Sequence, residues 1–119
     1  MSPNQLNATS ASTKANQAVL DALYRCITAC ENCATACLHE EDVQMMTGCI
    51  LLDRDCADIC SLTARLVARD SEHAKHLMKE CIEVCQKCAA ECGKHDHDHC
   101  KACAEACRAC AHACGLYAG

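Results

Sequence analysis

Apolar positions return along this chain at steps of three and four, and most of them are cysteine. The first such stripe is Val19, Leu23, Cys26, Cys30, Cys33 and Cys37, a heptad-like seam of the kind one face of an α-helix turns toward a core. It predicts a helix that begins near Ser12 or Thr13, either of which can cap it, and that runs to about Leu38. A short connection at His39–Asp42 leads to a second helix, roughly Asp42 to Arg69, with the stripe Met46, Cys49, Asp53, Cys56, Cys60, Thr63 and Val67. Asp70-Ser71 reads as a break, with Ser71 as the next cap. A third helix, about Glu72 to Cys92, carries Ala74, Met78, Cys81, Cys85, Cys88 and Cys92, and Gly93 reads as its C′ glycine. After the polar run 94–99 come Cys100, Cys103, Cys107, Cys110 and Cys114. At about 100° per residue, these five thiols fall within an arc of roughly 80° on a fourth helix, which runs to about Leu116.

Four amphipathic helices with short links predict an all-α fold: an antiparallel up-down-up-down four-helix bundle with a cysteine-lined core. Residues 13–119 form its single domain, and residues 1–12, rich in Ser, Thr, Asn and Ala, read as a flexible tail. The bundle also repeats itself. Cys26, Cys30, Cys33 and Cys37 recur 55 residues on as Cys81, Cys85, Cys88 and Cys92, while Cys49, Cys56 and Cys60 recur 54 residues on as Cys103, Cys110 and Cys114. Two related helical hairpins account for both offsets if the second connection is one residue shorter.

Composition narrows the chemistry. The chain has no Trp or Phe, one Pro, four Gly and sixteen Cys in 119 residues. Its net charge is −5 and its Lys and Arg are scattered, which argues against nucleic acid or acidic lipid as a partner. No apolar run reaches the length of a membrane span, and no secretory h-region opens the sequence. The chain therefore reads as cytoplasmic, where thiols stay reduced. A disulfide scaffold fits poorly, because thiols one helical turn apart point the same way.

Fourteen of the sixteen cysteines form C-x₃-C pairs: Cys26/Cys30, Cys33/Cys37, Cys56/Cys60, Cys81/Cys85, Cys88/Cys92, Cys103/Cys107 and Cys110/Cys114. Cys49 and Cys100 are left over. One or two buried thiols would be ordinary small apolar side chains; sixteen would underfill a core unless something occupied the space. Thiolates select Cu(I), zinc or iron–sulfur clusters. Structural zinc favours closed four-ligand sites, whereas Cu(I) accepts two or three sulfurs and lets each bridge to the next ion. A continuous column of inward thiols suits Cu(I) best, with a capacity on the order of one ion per cysteine.

On these C-x₃-C runs, the four-helix layout and a His/Met-decorated end, residues 15–117 resemble the bacterial four-helix-bundle copper storage proteins. The resemblance implies high-capacity sequestration of Cu(I) inside the bundle without enzymatic turnover, assembly as a homotetramer, and, from the missing leader, the cytosolic branch. A copper chaperone or exporter is then the natural partner.

In an up-down bundle the first and third connections share one end. That end collects His39, Met45, Met46, His95, His97 and His99, while Val19, Leu23, Val67, Leu77 and Met78 close the other with apolar bulk. Copper is expected to enter at the His/Met end. His39 and Met46 stand where a stripe meets the mouth; the run 95–99 reads equally well as a solvated turn. His73, His76 and His112 lie off the stripes. An unpaired carboxylate in a core is costly, so Asp53 reads as a local polar residue at an opening or beside a thiol rather than as a ligand. Two other readings stay open: an iron–sulfur electron carrier, although Leu38 stands where ferredoxin runs place a further element of their motif, and metallothionein-like zinc or cadmium buffering.

Overall fold

A computed structural model describes residues 10–118. Four helices follow one another: α1 (Ser10–Cys37), α2 (Thr47–Ala68), α3 (Ala74–Cys92) and α4 (Asp98–Ala118), with a 3₁₀ turn at Val43–Met46 ahead of α2. Each helix packs on its neighbour in sequence, and α1 closes the ring against α4. The result is the expected up-down-up-down bundle, drawn out to 56 × 22 × 17 Å. Among the described residues, no helix is long and apolar enough to cross a membrane.

The 3.6-residue period turns one stripe of each helix inward, and here that stripe is sulfur: all sixteen cysteines are fully buried and none is in a disulfide. The aliphatic residues collect at one end. Val19, Leu23, Val67 and Met78 are buried there, and Leu77 is half-buried beside them. Thr63 is buried on the same stretch and satisfies its hydroxyl by donating to the Ile59 carbonyl at 2.7 Å, so it adds no unmatched polar group.

Four boundaries differ from the expected ones, and for the last three the backbone bonds give a local reason. Helix α1 is already helical at Ser10, the first described residue, so neither Ser12 nor Thr13 begins it; the remainder of the expected tail, residues 1–9, lies outside the described residues. Helix α2 starts at Thr47 rather than Asp42. The Asp42 side chain makes no capping bond, and the tighter 3₁₀ turn, closed by Met45 N–H donating to the Asp42 carbonyl, takes up a donor that an uncapped α-helix would leave free. Helix α3 starts at Ala74, not Glu72, because Ser71 turns the chain first: its hydroxyl oxygen accepts from His73 N–H at 3.1 Å and its carbonyl from Ala74 N–H.

The fourth difference exchanges two residues. Gly93 does not take a left-handed conformation; its φ is −64°, and α3 runs out through turns in which Lys94 and His95 N–H donate to the Glu91 and Cys92 carbonyls. The left-handed residue is Asp70, at φ 54°. Ser71 N–H donates to the Leu66 carbonyl and Asp70 N–H to the Val67 carbonyl, the paired bonds of a Schellman cap, which requires positive φ at the residue between.

Candidate metal site

Helical spacing sets the sulfur geometry directly. The Sγ atoms of C-x₃-C pairs stand 4.0 Å apart in Cys26/Cys30, 3.9 Å in Cys33/Cys37, 3.8 Å in Cys56/Cys60, 3.9 Å in Cys88/Cys92, 4.0 Å in Cys103/Cys107 and 3.9 Å in Cys110/Cys114. A first-row metal–thiolate bond is about 2.3 Å, so a separation of this size accepts one ion between the two sulfurs of a pair. Contacts between helices are as short: Cys60–Cys81 is 3.6 Å, Cys26–Cys107 3.7 Å, Cys30–Cys107 3.7 Å and Cys33–Cys49 3.7 Å. Cys49 and Cys92 come within 2.8 Å.

The donors form overlapping groups of four. Cys26 belongs both with Cys60, Cys85 and Cys110 and with Cys30, Cys56 and Cys107; Cys30 and Cys107 belong again with Cys88 and Cys103. At the far end Cys33 and Cys37 join His99 and Cys100 in one group and Cys49 and Asp53 in another. A sulfur that belongs to two groups is placed to bridge two ions. At this end of the column burial opposes ionisation of two thiols: Cys100 is pushed up to about 11 and Cys37 is pushed up as well, in each case first by desolvation and then by a neighbouring Cys49 charge, whereas Cys49 itself is lowered to about 3 by the bonds from Cys33 and Cys92.

Asp53 is fully buried in the middle of the column. The thiols of Cys103, Cys88 and Cys92 donate to its Oδ1 at 3.1, 3.2 and 3.4 Å, and Cys49 lies 3.7 Å from Oδ2. Desolvation, followed by the proximity of Cys103, pushes its carboxyl up to about 10, so at neutral pH it is an uncharged acid. The expectation that neighbouring thiols hold it describes this geometry; an opening to solvent does not.

The connections 37–47 and 92–98 meet at the opposite end from the aliphatic plug. His99 turns Nδ1 inward, 3.4 Å from Cys33 Sγ, 3.5 Å from Cys100 and 3.9 Å from Cys37, while its Nε2 lies 2.7 Å from Glu40 Oε2. His97 stacks on it with ring centroids 5.3 Å apart. Met46 is buried, and Met45, 65% exposed, lies with Met46, His95, His97 and the acids Glu40, Glu41 and Asp42 around a surface depression. His95 is largely enclosed, with its Nε2 3.5 Å from Glu91 Oε2 yet without a hydrogen bond. His39 faces solvent, apart from the side chains that line the depression. His73, His76 and His112 are exposed.

Sequence reasoning therefore ranked His39 above the imidazole that actually faces the thiols, and it overlooked Glu40 and Glu91. Cys100 directly follows His99, and that adjacency was the available signal. Glu40 carried none, since its partner lies 59 residues away.

Residues 12–119 match the family model described as copper storage protein. The cysteine-rich protein YhjQ of Bacillus subtilis strain 168 is 46% identical over 85 residues, which span 71% of this chain and 79% of its own. The Cu(I)-bound copper storage protein BsCsp3 superposes with a TM-score of 0.85 at 45% identity, covering 88% of this chain and 99% of that one. A cytosolic copper storage protein from Streptomyces lividans, loaded with five coppers, does so with a TM-score of 0.87 at 37% identity, over 92% of this chain and 96% of its own. With the family model matched over nearly its whole length, the chain belongs to the copper storage protein family.

Proposed function

We propose that this protein sequesters Cu(I) in bulk, with the sixteen thiols as the principal ligands, and that it turns over no substrate. The observation that carries this is the overlap of the donor groups: Cys26, Cys30, Cys33, Cys37 and Cys107 each belong to more than one. Zinc uses four sulfurs per closed site, and sixteen thiols spent that way hold about four ions. Cu(I) takes two or three and lets sulfurs bridge, so the same column holds on the order of sixteen. The Streptomyces relative has been loaded with 10 copper equivalents, which supports the copper reading over zinc buffering or an iron–sulfur cluster.

Each ion that enters displaces thiol protons to solvent, leaving a neutral or mildly charged copper–thiolate array in the low-dielectric core. The ions enter at the His/Met end, where His99 adjoins Cys33 and Cys100, and His95, His97, Met45, Met46 and His39 serve as weaker, outer ligands; the aliphatic end stays shut. Copper reaches this mouth from a chaperone and leaves toward an exporter. The cytosolic relative supports a cytoplasmic setting. A homotetramer follows from the family resemblance, and the furrow between α1 and α4, lined by five alanines together with Asp21, Arg25 and Glu105, is a candidate face for it.

Anaerobic Cu(I) titration against a competing chelator tests the assignment. Colourless uptake well beyond four equivalents is the expected result. Saturation near four zinc ions, or visible charge-transfer bands after iron loading, would replace it.

A further inference from the structure

We infer that Glu40 is a positioning residue: its carboxylate fixes the tautomer and orientation of His99, so that Nδ1 presents a lone pair to the outermost thiols. The inference rests on the Cu(I) reading above for its consequence, though not for its geometry.

Three features place the two side chains together. Beyond Cys37 the chain leaves α1 through successive turns, with Leu38, His39 and Glu40 N–H donating to the Thr35, Ala36 and Cys37 carbonyls. These turns carry Glu40 across the end of the bundle. On the other side, the His97 carbonyl accepts from both Cys100 and Lys101 N–H and so fixes the first turn of α4, on which His99 stands. A carboxylate is also favourably placed near that helix N-terminus. The contact between them is 2.7 Å, from His99 Nε2 to Glu40 Oε2.

A neutral imidazole has one N–H and one lone pair. An ionised glutamate carboxylate only accepts, and Glu40 Oε2 stands 2.7 Å from Nε2. Nε2 must therefore carry the hydrogen, which leaves Nδ1 as the acceptor. Nδ1 is also the atom within 3.4–3.5 Å of Cys33 and Cys100. In the other tautomer Nδ1 would point N–H at those sulfurs, and His99 could not offer a lone pair to an ion passing between them. Carboxylate partners of this kind raise the basicity of a metal-binding imidazole, and their loss typically costs about 10- to 100-fold in affinity or activity. His97, 3.5 Å from Glu40 through Nδ1 and exposed, competes weakly for the same oxygen.

The test compares wild type, Glu40→Ala, Glu40→Gln, His99→Ala and the Glu40→Ala/His99→Ala double variant. In the apo protein, ¹⁵N-detected NMR of the His99 ring should show the Nε2–H tautomer in wild type and a substantial Nδ1–H population in Glu40→Ala. Transfer of the first equivalents from a Cu(I)–chelator complex should slow about ten-fold in Glu40→Ala, with final capacity unchanged. Glu40→Gln, which keeps an acceptor oxygen without the charge, should shift both readouts in the same direction and by less. Adding Glu40→Ala to His99→Ala should slow transfer no further. An unchanged tautomer in Glu40→Ala, or an equal slowing by Glu40→Ala in the His99→Ala background, would overturn the inference. Should wild type bind no more than a few Cu(I), the storage assignment falls, and the NMR result still decides the role of Glu40.

Discussion

At the scale of single residues, Asp53 is the sharpest departure from an apolar or sulfur core. Three thiols donate to it, which favours the carboxylate, but desolvation is the larger effect and among the described residues no cation offsets it, so the neutral acid is favoured. Its folded pKa, about 10, lies above the unfolded value of about 3.8. The folded state therefore binds the extra proton between these limits. The stabilising contribution is complete below about pH 3.8 and is lost as pH rises toward 10. Between pH 5 and 8, where unfolded cysteines remain largely protonated, apo wild type should lose up to about 1.4 kcal/mol per pH unit relative to Asp53→Asn. Guanidinium unfolding of both proteins across that range measures the difference. Parallel pH curves would mean that Asp53 is ionised inside the bundle.

At the scale of elements, the i, i+4 rule made α1 to α4 and the sulfur stripe legible, because a period of 3.6 and an inward face are properties of local sequence. Connections depend on which backbone groups find partners, and this is where expectation and structure part. Gly93 looked like the left-handed cap because glycine alone reaches that region freely; the Schellman bonds formed instead at Asp70, where Leu66 and Val67 carbonyls needed donors. The same limit hid the His99–Glu40 contact, which joins two connections far apart in sequence, while the sulfur lining needed no tertiary knowledge. A left-handed conformation costs a residue with a Cβ roughly 1–2 kcal/mol, somewhat less for Asp. Asp70→Gly should relieve this at the exposed turn and stabilise the apo protein by about 1 kcal/mol, read as a higher midpoint in chemical denaturation. A lower midpoint would show that the Asp70 side chain contributes more than the backbone strain costs.

For the molecule as a whole, the bundle is polarised: stability is concentrated at one end and access at the other. Leu23 is buried in the plug with Val19, Val67 and Met78, and truncating a buried leucine typically costs about 2–5 kcal/mol. His99 is 15% exposed at the mouth and packs chiefly on thiols and Glu40, so its truncation removes a potential ligand and little apolar burial. The two substitutions should therefore separate. Leu23→Ala should lower the apo unfolding free energy by about 2–5 kcal/mol and leave the initial rate of Cu(I) transfer near that of wild type. His99→Ala should slow that first phase about ten-fold or more, at least as much as Glu40→Ala does, while shifting the unfolding midpoint little. Loading with Cu(I) should then raise the melting temperature of both, because ions bound only by the folded column add about 4 kcal/mol once free copper exceeds its dissociation constant a thousand-fold. The arrangement fails if Leu23→Ala slows the first phase as much as His99→Ala does, since copper would then be passing through the end that the aliphatic side chains close.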